Sequence, residues 1–153
     1  AIKGIDAVWK WTPYGVPTES HLKFQAEYFV RDEAGTVSLD DGTAAPEISR
    51  YDGQQAGWYA QAIYRFVPRW RIGLRYDQLG SDNTVPNVIV LTGSGLDDEG
   101  QHPRRKTLMF DYRYSKNSLL RLQYARDESY PHNDNIMMLQ YVMSLGIHGA
   151  HQF

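Results

Sequence analysis

The sequence contains no cysteine among its 153 residues. Disulfide frameworks, thiolate-bound zinc and thiol catalysis are therefore excluded together. Long apolar runs are missing as well: none exceeds four residues, as in 88–91 and 136–139, so no membrane-spanning helix is encoded. A membrane-spanning strand needs no such run. Charge of one sign is also lacking, since 16 Lys and Arg stand against 18 Asp and Glu for a net charge of −2. That balance excludes the basic excess of an electrostatic nucleic-acid binder, so no nucleic acid is expected as a partner. No Walker sequence or dinucleotide fingerprint is present, 92–95 (Thr-Gly-Ser-Gly) reads as a flexible loop, and no cofactor is expected. From Ala1 no charged start followed by an apolar stretch is visible, so a signal peptide is either removed or lies in a longer precursor.

Aromatic residues, by contrast, are plentiful: eleven Tyr, five Phe and four Trp, 13% of the chain. They fall on a period of two. Segment 3–11 places Ile5, Ala7, Trp9 and Trp11 on one face, and 21–31 places Leu22, Phe24, Ala26, Tyr28 and Val30 opposite Lys23, Gln25, Glu27, Phe29 and Arg31. Segments 57–66 and 70–78 form a hairpin across Val67-Pro68-Arg69, with Trp58, Ala60, Ala62, Tyr64 and Phe66 facing the same way as Trp70, Ile72, Leu74 and Tyr76. Leu108, Phe110 and Tyr112 alternate in 106–113, and Leu120, Leu122 and Tyr124 in the segment after the turn 115–118. A seventh segment runs from about Ile136 toward Phe153. Strict alternation without an i, i+3, i+4, i+7 pattern predicts an all-β, antiparallel up-and-down chain of about seven strands.

Alternation alone does not say which face is wet. In a soluble barrel the apolar face points inward; in a transmembrane barrel it points outward. Connection lengths help, because 12–20, 67–69 and 114–117 are short whereas 32–56 and 80–105 are long and polar. Short periplasmic turns and long extracellular loops are the habit of outer-membrane barrels. Aromatics also fall at two levels. Trp9, Trp11, Tyr64, Phe66, Trp70, Tyr112 and Phe153 gather at one end of the strands, and Tyr28, Trp58, Tyr76 and Tyr124 at the other, as membrane-interface girdles do. Val88 to Thr92 reads as part of a long loop hairpin, since a spanning strand there would break the alternation of loop lengths.

The ending Met-Ser-Leu-Gly-Ile-His-Gly-Ala-His-Gln-Phe, with Trp-Tyr-Ala-Gln and Pro-Arg-Trp-Arg-Ile-Gly-Leu-Arg-Tyr-Asp upstream, resembles the bacterial outer-membrane β-barrel superfamily. In narrower motifs it is similar to a proteobacterial group labelled zinc-regulated outer-membrane receptor-like proteins. The resemblance implies an outer-membrane location, a lipid environment, and Phe153 as the assembly signal read by the barrel-assembly machinery. It departs from TonB-linked receptors in having nothing like a plug domain. Bacterial single-chain barrels use even strand numbers. Seven strands therefore predict that 1–153 is a single β-barrel unit, the C-terminal part of a larger porin-like barrel.

The inward face would then be charged. Arg65, Arg71, Arg75, Arg113 and Arg121 stand there with Asp77, Asp111 and Glu27, as lumen-lining residues of a pore for small hydrophilic solutes, anionic ones among them. The alternative is that these arginines pair with the carboxylates as cross-strand ladders inside a plugged barrel. A structural scaffold holding other chains of a complex is a second class. An enzyme with a rim site near His132 and Asp134 is a third, though one His-x-Asp in a polar loop is a weak signal, and no catalytic residue is assigned. No metal site is expected. His148 and His151 point to opposite faces of a strand, and Asp40-Asp41 and Asp97-Asp98-Glu99 lack the spacing of a calcium loop.

Overall fold

The structure is a computed structural model that describes residues 1–15, 20–40, 42, 45–97, 100–129 and 133–144. Among the described residues seven strands follow one another in sequence order in one antiparallel sheet: β1 (Ile2–Trp11), β2 (His21–Leu39), β3 (Glu47–Val67), β4 (Trp70–Thr84), β5 (Arg104–Ser115), β6 (Ser118–Glu128) and β7 (Asp134–Met143). The sheet is up-and-down and open, with β1 and β7 as its two edges. Among the described residues no helix is long and apolar enough to cross a membrane.

Register carries the period-two pattern from strand to strand, with irregularities beside two hairpins, between Arg65 and Val67 and between Tyr112 and Ser115. Ile5 faces Tyr28, which faces Trp58; Ala62 faces Leu74, which faces Leu108, then Tyr124 and Met137. One residue of slip would send these side chains to the other face. The hairpins at this end are tight. Pro68 and Arg69 join β3 to β4, with Arg69 at φ 77°, a left-handed value a non-glycine residue rarely takes, and its carbonyl accepts from the Arg113 N–H at 2.8 Å.

Two expectations need correction. The long connection 32–56 is mostly strand, with β2 and β3 paired to Leu39 opposite Glu47, and 80–105 begins as strand, with β4 running on to Thr84. The segment expected as a loop hairpin is a helix, α1 (Val88–Gly93), capped by Asn87, whose Oδ1 accepts from the N–H groups of Ile89 and Val90. Both have one physical cause. In these extensions Val37 and Leu39 turn to the face that carries charge lower down, and α1 lies over them: Val90 and Val85 are buried, and Leu39 packs against Gly93.

Candidate functional site

The sheet's two faces are unequal, in the opposite sense to a soluble sandwich. Leu74 is 61% exposed, and Leu108, Phe110, Leu120 and Leu122 on the same face are exposed as well. On the charged face Asp111 is fully buried, and Met109, Ala125 and Asp127 nearly so. On this face the long guanidinium side chains cover shorter residues such as Asp111, and a hollow is left above them. The hollow has a volume of about 620 Å³ and is lined by Tyr59, Gln61, Arg75, Asp77, Arg121 and Gln123 among others.

The expected lumen residues come together on that inner face. Arg65, Arg71, Asp111 and Arg121 occupy one cross-strand row, each opposite the next. Asp111 accepts from Arg71 Nη2 at 2.6 Å and from Arg121 Nε at 2.8 Å, so one carboxylate serves two guanidiniums. Arg65 lies directly opposite Arg71 and within the field of Arg113. Higher on the face, Arg75 grips Asp77 at 2.6 Å and lies 3.9 Å over the ring of Tyr59, which stands opposite Glu27 and accepts from Gln25 at 2.9 Å.

Charge is sorted along the strands. Toward the tight-turn end the inner face presents Lys10, Lys23, Arg65, Arg71, Arg113 and Arg121, with Asp111 as the carboxylate among them. Toward the far end Asp6, Glu27, Asp77 and Asp127 stand with Arg75 and Arg105. Register adds which of these residues stand directly opposite one another on neighbouring strands.

The outer face is bounded by aromatic rings at both ends. Trp70 packs against Tyr112 and Phe110 at 4.4 and 5.1 Å between centroids, with Tyr64 and Phe66 beside them; Trp58 packs on Tyr76 at 5.2 Å. Trp9, Trp11, Tyr28 and Tyr124 complete the two rows and are exposed. The tyrosine hydroxyls diverge. Tyr76 reaches Gln78 at 3.3 Å and Tyr124 reaches Asn135 at 2.7 Å at one end; Tyr64 receives Ser20 at 3.5 Å and Tyr141 reaches the Met143 sulfur at 3.7 Å at the other. Each polar tip points away from the middle of the apolar band.

Beyond that band, the β5–β6 ends are held by ion pairs. Asp127 accepts from Ser129 and Arg105, and Glu128 is surrounded by Arg104, Lys106 and Arg126. The Ser129 hydroxyl first, then the Arg105 guanidinium, hold the Asp127 carboxyl below its usual range. Partial burial pushes Glu128 up, but the three cations outweigh it and the net shift is downward. A lowered folded-state pKa contributes stability above the unfolded value, lost as pH falls through the folded one. Amide exchange at 104–106, corrected for its intrinsic rate, will therefore be slow at neutral pH and accelerate below the ordinary carboxylate range. Equal protection at pH 7 and pH 3 would show that these pairs hold nothing.

Among the described residues no His, Cys, Asp and Glu cluster could hold a metal. His132, His148, His151, Asp41, Asp98, Glu99 and the expected assembly signal Phe153 lie outside the described residues.

Comparison with known proteins finds an uncharacterized protein of Aquifex aeolicus (strain VF5), 27% identical over 157 residues, a match covering 99% of this chain and 30% of that protein. The chain thus spans less than a third of the relative's length. No protein-family model matches, and no solved structure matches.

Proposed function

We propose that these strands form part of the wall of an outer-membrane β-barrel whose interior passes small hydrophilic solutes, anions preferentially. The divergence of the tyrosine hydroxyls from an exposed apolar band carries this reading, because Tyr is stable where ring and hydroxyl meet different solvents. Two open edges also call for further strands, since an unpaired edge is not tolerated in hydrocarbon. The match to three tenths of a longer protein supports a chain that supplies only some of the strands.

Inside, the arginine-rich half sets the sign of the field. A low-dielectric wall focuses it, and a ring of Arg and Lys lowers the barrier for anions. In planar bilayers the intact protein bathed in a salt gradient will show a reversal potential of anion-selective sign, moving toward zero in R65Q/R113Q. A cation-selective sign in the unmodified protein refutes the anion preference, and absence of conductance refutes the pore.

A further inference from the structure

On the outer face, Ala60 and Ala62 leave a trough of about 640 Å³ between Phe24 on one side and Leu74, Tyr76, Leu108 and Tyr124 on the other. Lys106 and Arg126 close its upper end. These cations face each other across β5 and β6, and Arg104 stands two residues further along the same face. Glu128 lies among all three, 3.0 Å from Arg126 and 3.8 Å from Lys106, so one carboxylate leaves a surplus of positive charge. Each cation is about half exposed. At the tight-turn end, the outward strand positions Trp11, Tyr64, Trp70, Tyr112 and Leu120 carry no cation.

An apolar trough headed by cations at outward strand positions of one end matches a molecule with an acyl chain and a phosphate. We infer that this trough and the Arg104, Lys106 and Arg126 cluster form a specific seat for a phosphorylated glycolipid of the outer leaflet, acyl chain along Ala60 and Ala62, phosphate on Lys106 and Arg126. The inference rests on the membrane reading above and names a lipid for it. The long strand extensions stand at the same end as the cluster, which places the head group in the leaflet facing away from the tight turns.

The test uses the intact protein, native mass spectrometry, and lipid A, its dephosphorylated form and phosphatidylglycerol as probes. Lipid A will stay bound, the dephosphorylated form will not, and K106Q/R126Q will hold it at least about tenfold less well, each lost basic contact near an anionic lipid weakening binding several-fold. Arg104 is kept in that variant so that Glu128 retains a partner. A62F, which fills the trough and leaves every charge in place, will lose lipid A too, with folding verified by heat-modifiable migration. Equal retention of phosphatidylglycerol, or unchanged lipid A binding in both variants, overturns the glycolipid seat while leaving the membrane reading intact. Failure of the unmodified protein to float with vesicles overturns both.

Discussion

Asp111→Asn will cost the fold about 3–5 kcal/mol, the usual consequence of removing one member of a buried charge network. The carboxylate is fully buried and its two guanidiniums are mostly covered, at 21% and 28% exposure. Without it Arg71 and Arg121 face each other's charge across β5, with Arg65 already opposite Arg71. Asparagine restores at most one weak acceptor. Asp77→Asn is the internal comparison: Arg75 is 40% exposed and water can take over, so that change will cost under about 1 kcal/mol. Urea titration of the folded band on cold gels, in vesicles, measures both. Equal losses in the two variants would mean that Asp111 is no more a keystone than any exposed pair. Whatever fraction of Asp111→Asn folds will be more anion-selective than the unmodified protein, because the arginine-rich half has lost its carboxylate.

The strand pattern was legible where the apolar residues of a segment fell mainly on the exposed apolar face. From Leu22 to Tyr28 and from Trp58 to Tyr64 alternation and register agree residue by residue. Reading stopped where the pattern inverted. In 33–39 the apolar residues Val37 and Leu39 change sides, and a reader following outward-facing apolar residues sees only a polar stretch. The strand continues because ladder hydrogen bonds and the cover of α1 sustain it. That helix was illegible for another reason: Val88 to Leu91 is a short apolar run with high strand propensity, and the Asn87 cap with the burial of Val90 overrides it. At the charged face, parity placed the arginines together. Which of them share Asp111 depended on register, and no local signal encodes that.

The inversion also gives the chain two physically different zones on the same strands, and a single outward substitution separates them. Leu74 sits mid-band, between Ala62 and Leu108, and is 61% exposed. If water covered that face, Leu74→Arg would be almost free, within about 0.5 kcal/mol, as substitutions at exposed positions usually are. Against hydrocarbon the same arginine costs about 2–4 kcal/mol near the midplane and about 0–1 near the interface. Gln78 is on the same strand and face, at the level where the Tyr76 hydroxyl turns away from the band. Leu74→Arg will therefore destabilise the folded protein in vesicles several times more than Gln78→Arg, read as the difference in urea midpoint at unchanged slope. The inner face supplies the opposite control. Gln123→Arg, on the inner row level with Met109, faces the hollow lined by Arg75, Asp77 and Arg121 and will leave the midpoint near its original value. An indifferent response at Leu74 together with a large one at Gln123 would turn the sheet inside out, making the exposed leucines a docking face for another protein and the charged side a buried network.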